Sequence, residues 1–69
     1  MKFRILLEKG KKMYVAECPN LPGCISQGRT RLEAVRNIRD AIHGYIISLK
    51  KHNEPIPPSI EEEMIEVNA

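Results

Sequence analysis

One amphipathic helix in the middle of the chain constrains the fold more than any other segment. Thr30-Arg31-Leu32-Glu33 has the pattern of a capping box, in which side chains satisfy the free amides at a helix start. Lys50, Lys51 and His52 suit a last turn, and the prolines from Pro55 onward stop the helix. We therefore expect a helix over residues 31–52, with one apolar stripe formed by Leu32, Val35, Ile38, Ala41, Ile42, Tyr45, Ile46 and Leu49.

The residues before this helix favour β-structure. Residues 2–8 alternate between apolar and polar side chains, which predicts a half-buried strand. A short polar link leads to residues 13–18, so the two segments are expected to pair as a hairpin. The prolines and glycine of residues 19–23 turn the chain out of the sheet, and residues 24–27 are expected to form a third strand. Gly23 and Gly28 are both expected to be turn glycines.

The last part of the chain is less regular. Residues 59–63 fit either a single helical turn or a loop, and residues 64–67 are expected to form a short last strand. The 69 residues are thus expected to form a single domain, residues 1–69, of the α+β class with the order β-β-β-α-β. One helix covers one face of an antiparallel sheet, so the other face, with apolar residues such as Leu6, stays bare. A homo-oligomer, either a dimer or a tetramer, is expected to cover it.

Charge is distributed unevenly along the chain. Residues 1–53 contain all 11 basic residues and four acidic ones, a net charge of +7, whereas residues 54–69 contain five glutamates and a net charge of −5. A basic body is compatible with nucleic-acid binding, but its basic residues are spread over three segments. The three aromatic residues, Phe3, Tyr14 and Tyr45, form no stacking platform. Direct nucleic-acid binding is therefore not the preferred interpretation.

No catalytic, cofactor or metal site is expected. Cys18 and Cys24 are spaced more widely than a usual zinc pair, and His43 and His52 are expected to face solvent on the helix. The cysteines are expected to be reduced and half-buried in strands. The candidate acidic ligands are expected on separate elements: Glu8, Glu17 and Asp40.

The longest apolar runs are three residues, far short of the roughly 20 that cross a bilayer. The start of the chain has no apolar stretch of a secretory signal. We therefore expect a cytoplasmic protein without membrane contact.

The run Tyr14-Val15-Ala16-Glu17-Cys18-Pro19-Asn20-Leu21-Pro22-Gly23-Cys24-Ile25-Ser26-Gln27-Gly28 resembles the HicB antitoxin family, also called UPF0150-like. The family pattern reads approximately Y-V-A-x-x-P-x-L-P-G-C-x-S-x-G-D-T-x-x-E-A. Thr30, Glu33 and Ala34 fit its last positions, whereas Arg29 replaces the family aspartate and reverses the charge there.

The resemblance implies a truncated ribonuclease H-like fold without the catalytic carboxylates. It also implies an antitoxin that binds a HicA-like toxin, a small basic protein that cleaves mRNA. Many family members carry a C-terminal DNA-binding domain. The residues after the helix are too few for such a domain, so no direct DNA binding by this chain is expected.

The partner-binding candidates combine the motif with the acidic end of the chain. They are Leu21, an apolar anchor expected to be exposed by its neighbouring prolines, and the glutamates Glu61, Glu62, Glu63 and Glu66. The glutamates equally fit a solvated face, and Leu21 equally fits the edge of the core. The competing functions are a homo-oligomeric structural module without a toxin, a residual ribonuclease H-type nuclease and nucleic-acid binding through the basic body.

Overall fold

The computed structural model describes residues 2–58. It contains the strands β1 (Leu6–Lys9), β2 (Tyr14–Glu17) and β3 (Ile25–Gly28), followed by the helix α1 (Arg31–Lys51). The strands form one antiparallel sheet in the order β1-β2-β3, and α1 packs over β3 and β2. The predicted α+β arrangement is confirmed. The predicted turn or loop at residues 59–63 and the predicted strand at 64–67 lie outside the described residues.

The strands are shorter than the sequence pattern predicts, most clearly β1. Leu6 pairs with Glu17, so the residues before Leu6 would have to pair with Cys18 and the turn beyond it. Pro19 has no amide hydrogen and begins a turn that leaves the sheet. Residues 2–5 therefore lie outside the ladder, although Phe3 and Ile5 still pack against the core.

The core lies between the sheet and α1. Its fully buried side chains come from the strand ends, the turn and the helix: Ala16, Cys18, Leu21, Cys24, Ala34 and Ile38. The predicted helix stripe is correct from Ile38 to Tyr45, but Leu32 is wrong, since 68% of its surface is exposed. Ala34 is buried instead, because it lies on the opposite side of the first turn of α1, where the helix closely approaches Gly28 of β3.

Gly28 shows how close that approach is. A Cβ atom added at Gly28 would lie 2.5 Å from the backbone nitrogen of Ala34 and 2.8 Å from the carbonyl carbon of Glu33. Gly28 is therefore the last residue of β3 and a contact point for the helix, not the turn glycine expected from the sequence. Gly23 is a turn glycine, with φ at 79° in the left-handed region that glycine favours.

Both helix ends are satisfied locally. The Thr30 hydroxyl accepts a hydrogen bond of 3.1 Å from the Glu33 amide, which confirms Thr30 as the N-cap. At the other end Asn53 adopts a left-handed φ of 55°, and the Glu54 amide donates to the Leu49 carbonyl at 2.9 Å. The predicted bounds of the helix are confirmed to within one residue.

Candidate partner-binding surface

The face of the sheet that points away from α1 is a candidate binding surface, called here the open face. Antiparallel pairing aligns Leu6, Glu17 and Ile25 in one row across the strands and aligns Glu8, Val15 and Gln27 in the next. Because side chains alternate along a strand, both rows point to the side opposite Ala16, which is buried under the helix. The apolar members are exposed: Leu6 by 52%, Val15 by 37% and Ile25 by 58%.

The turn between β2 and β3 was the other expected source of a contact residue. Leu21 is fully buried, so the expectation that its neighbouring prolines expose it is wrong. Its amide donates to the Cys18 carbonyl and its carbonyl accepts from the Cys24 amide, each at 3.0 Å. These two bonds fold the turn inward over the core, and the alternative position of Leu21 at the core edge is the correct one.

The same turn holds the chain that follows α1. Asn20 Nδ2 donates a hydrogen bond of 2.6 Å to the carbonyl of Pro58, across 38 residues of sequence. Pro58 is therefore fixed at the end of the sheet where β2 ends and β1 begins. The predicted contact residues Glu61, Glu62, Glu63 and Glu66 follow Pro58 and lie outside the described residues.

The outer edge of β3 is held by the helix. The Cys18 amide donates to the Cys24 carbonyl at 3.0 Å, so in the alternating pattern of an antiparallel ladder the backbone of Gln27 points away from β2. Asn37 Nδ2 of α1 donates to this outward Gln27 carbonyl at 2.8 Å.

The cysteines are more deeply buried than the sequence indicates, with 1% of Cys18 and 4% of Cys24 exposed, and both are free. Burial raises the pKa of the Cys24 thiol above its ordinary 9.0, and the neighbouring Cys18 raises it further. A thiol that keeps its proton is a poor nucleophile and a poor metal ligand. The pair is therefore part of the core.

The other candidate ligands do not converge. Both histidines are exposed on the helix as expected, and His52 Nδ1 lies 2.8 Å from the Ser48 carbonyl. Within residues 2–58, no three His, Cys, Asp or Glu side chains lie close enough together to hold a metal ion. The described part of the chain also contains no helix with the length and apolar character needed to span a membrane.

A groove of about 400 Å³ lies between the start of the chain and α1. Its apolar walls are Phe3, Ile5 and Ile42, and its basic residues are Lys2 and Arg39. Arg29, which reverses the charge of the family aspartate, is exposed at the start of the helix, away from this groove.

Sequence reasoning considered Glu8 and Glu17 as candidate catalytic carboxylates or as surface residues that aid solubility, and it missed their shared face. The signal was available, since Leu6 and Glu8 alternate with the buried side of one predicted strand, as Val15 and Glu17 do in the next. The register that aligns the two strands could not be derived from this pattern alone.

Comparisons with known proteins agree on one family. Residues 3–68 match the family model described as the HicB-like antitoxin of bacterial toxin-antitoxin systems. A UPF0150 protein of Thermoplasma acidophilum is 49% identical over 65 residues, which cover 93% of this chain and 94% of that protein. A UPF0150 protein of Synechocystis is 48% identical over 56 residues, which cover 80% of this chain and 71% of that protein.

An uncharacterized 14.9 kDa protein of Haemophilus phage HP1 is 37% identical over 59 residues, which cover 86% of this chain but 44% of the phage protein. No solved structure matches the chain.

Proposed function

Because the chain belongs to the HicB-like antitoxin family of bacterial toxin-antitoxin systems, we propose that it neutralises a HicA-like mRNA interferase by direct protein–protein binding. The observation that carries the proposal is the family match, which extends over residues 3–68 and so includes both the described fold and the acidic end of the chain. The antitoxin acts by covering the RNA-binding or catalytic surface of the toxin, without chemistry of its own, in the cytoplasm where mRNA is found.

Charge supports a basic partner. The segment after Asn53 has a net charge of −5, and we propose that Glu61, Glu62, Glu63 and Glu66 contact the positively charged toxin. The hydrogen bond between Asn20 and Pro58 supports this role, because it holds the start of the segment beside the sheet. A held segment loses less conformational freedom on binding than a free one.

Co-expression with the small basic protein encoded beside this gene tests the proposal. We expect a stable complex in a pull-down, a mass that gives its stoichiometry, and loss of mRNA cleavage when the antitoxin is added. A neighbour that cleaves mRNA at the same rate in the presence of excess antitoxin would contradict neutralisation.

The acidic segment has its own test. Reversing three charges with Glu61→Lys, Glu62→Lys and Glu63→Lys is expected to weaken toxin binding and to slow association most at low salt. The control reverses two exposed acidic residues of the helix, Glu33→Lys with Asp40→Lys. Unchanged binding by the triple variant at low salt would remove the segment from the interface.

The second candidate function is a homo-oligomeric interaction module without a toxin. The exposed apolar residues of the open face favour it, because a second copy could cover them. A defined oligomer of the purified protein, combined with no binding to the neighbouring basic protein, would support this function over neutralisation. Cleavage of RNA or of an RNA–DNA hybrid by the purified protein with Mg²⁺ or Mn²⁺ would contradict both.

A further inference from the structure

The open face combines features that an ordinary solvated sheet face does not. Antiparallel sheets commonly pack one face and leave the other polar. Here half of the strand residues on the outward side are large and apolar, namely Leu6, Val15 and Ile25. They lie on three different strands. On this face, each has a polar residue as its neighbour along its own strand and across to the adjacent strand. The apolar side chains therefore alternate with polar ones across the sheet and are accessible to a partner.

The polar positions between them are acidic or neutral. They are Glu8 on β1, Glu17 on β2 and Gln27 on β3. Lys9, the basic residue of the strands, belongs to the opposite face, because it is aligned with Tyr14 and Gly28 under the helix. The hairpin lysines Lys11 and Lys12 lie beyond the strand ends. The strand residues of this face thus carry two negative charges on a body with a net charge of +7.

A second copy of the chain is a poor occupant of this face. Face-to-face packing would bring two pairs of glutamates into one layer to which the strand residues contribute no basic side chain, and like charges brought together in an interface repel. The self-contact would therefore be repulsive.

A positively charged protein surface can pair with the glutamates of the open face and cover its apolar residues. Lysine or arginine side chains can pair with Glu8 and Glu17 while their aliphatic stems and neighbouring apolar residues cover Leu6, Val15 and Ile25. We propose that the open face is the docking surface for a basic protein partner. The proposal rests on the proposed function, under which that partner is the toxin.

The test compares charge reversals at matched exposed positions. Glu8→Lys with Glu17→Lys is expected to weaken binding of the purified basic toxin by at least about tenfold in calorimetry at about 0.15 M salt. The control Glu33→Lys with Asp40→Lys makes the same change of net charge on exposed helix residues and is expected to alter the affinity by less than about threefold. Thermal unfolding of each variant shows that it is folded.

The apolar part is tested separately. Ile25→Ser is expected to weaken toxin binding by at least about fivefold, because it removes the most exposed apolar side chain of the open face. The controls Leu32→Ser and Ile47→Ser remove similarly exposed apolar side chains from the helix and are expected to leave the affinity unchanged. Should the charge reversal impair folding, the Ile25 comparison still decides the proposal.

The outcomes separate the docking surface from the proposed function. If the wild-type chain does not bind the toxin at all, neutralisation itself is contradicted. If the wild type binds and the open-face variants bind as the controls do, the docking surface is wrong and neutralisation stands. If the open-face variants change the mass of the free protein from that of an oligomer to that of a monomer and leave the toxin affinity unchanged, a second copy occupies the face.

If the open-face variants instead lower the thermal stability of the free monomer and leave the toxin affinity unchanged, the chain's own acidic segment covers the face. Either result overturns the proposal.

Discussion

Thr30 illustrates how much a single side chain contributes to the start of α1. Its hydroxyl accepts from the Glu33 amide, one of the amides that the helix itself cannot satisfy. We expect Thr30→Ala to lower the free energy of unfolding by about 0.5–2 kcal/mol. For a domain of this size, each kcal/mol corresponds to a decrease in melting temperature of about 4–8 °C.

Thr30→Ser is the control, because serine keeps the accepting oxygen and is expected to retain most of the stability. The stoichiometry of the toxin complex should be the same for both variants, since the cap lies outside the proposed interface. Equal melting temperatures for the wild type and Thr30→Ala would contradict the role of the cap.

Cys24 predicts a dependence of stability on alkaline pH. Its folded pKa is above the ordinary 9.0, because burial first and Cys18 second disfavour the thiolate. Its contribution to stability is therefore complete below the unfolded pKa and is lost as the pH rises through the folded pKa. We expect the melting temperature of the wild type to fall more steeply above about pH 9 than that of Cys24→Ala, which has no thiol at position 24 to ionise.

Scanning calorimetry at a series of pH values on both proteins gives this difference directly. The two proteins differ in no other side chain, so the comparison isolates the contribution of Cys24. Parallel curves over the whole range would show that ionisation of Cys24 is not coupled to unfolding.

The role of a residue was predictable from the sequence where a local pattern determines it, and less predictable where tertiary packing does. The Thr30 cap follows from a short sequence pattern and was confirmed. The positions of Leu32 and Leu21 were not, because a local pattern does not show which side of the first helical turn faces the sheet or that the β2–β3 turn folds over the core. Leu32 is exposed because it precedes the buried Ala34 by two residues, about 200° around the helix.

At the level of elements, the contact between β3 and α1 gives a matched pair of glycine substitutions. Gly28→Ala places a methyl group against the backbone of Glu33 and Ala34, so the helix must shift from the strand. We expect a loss of about 1–3 kcal/mol in the free energy of unfolding. Gly44→Ala, at an exposed helix position with open space around it, is expected to stabilise the protein by about 0.5–1 kcal/mol.

Denaturant unfolding of the two variants measures both effects on one scale. The pair separates a glycine that is required by close packing, Gly28, from a glycine at which a methyl group has room, Gly44. A stabilised Gly28→Ala variant would contradict the close packing of β3 against the helix.

The faces of the strands were predictable from alternation, whereas their ends were not. Phe3, Ile5 and Leu7 are on the core side as the alternation of residues 2–8 indicates. The ladder begins only at Leu6, because its partner strand ends where the proline turn begins. Strand length is thus set by the neighbouring strand, and a pattern within one segment carries no information about it.

At the level of the whole molecule, the Asn20–Pro58 hydrogen bond joins the turn before β3 to the chain that leaves α1. Asn20→Asp keeps the size of the side chain but replaces the donating amide with a carboxylate, which repels the Pro58 carbonyl. We expect a loss of about 1 kcal/mol in the free energy of unfolding and a weaker complex with the toxin, because the acidic segment is then less well positioned.

Asn53→Gly is the control for Asn20→Asp, because it also replaces an asparagine, here one that lies just after the end of α1. Its backbone is in the left-handed region that glycine favours, so stability and toxin affinity are expected to be nearly unchanged. Equal toxin affinity for Asn20→Asp and the wild type would show that the Asn20–Pro58 hydrogen bond does not contribute to toxin binding.

The hydrogen bond from Asn37 to the outer carbonyl of β3 limits how copies of this chain can polymerise. Growth of a sheet from copy to copy needs an open strand edge on both sides of each copy. β3 has four residues, and those whose backbones point outward are Ile25 and Gln27, so the helix occupies an acceptor at the centre of a very short edge. Strand pairing between the described parts of two copies is then confined to β1, and a pair joined through β1 has no second edge with which to continue. The described part of the chain, although it exposes apolar β-surface, therefore offers only one free edge for such growth.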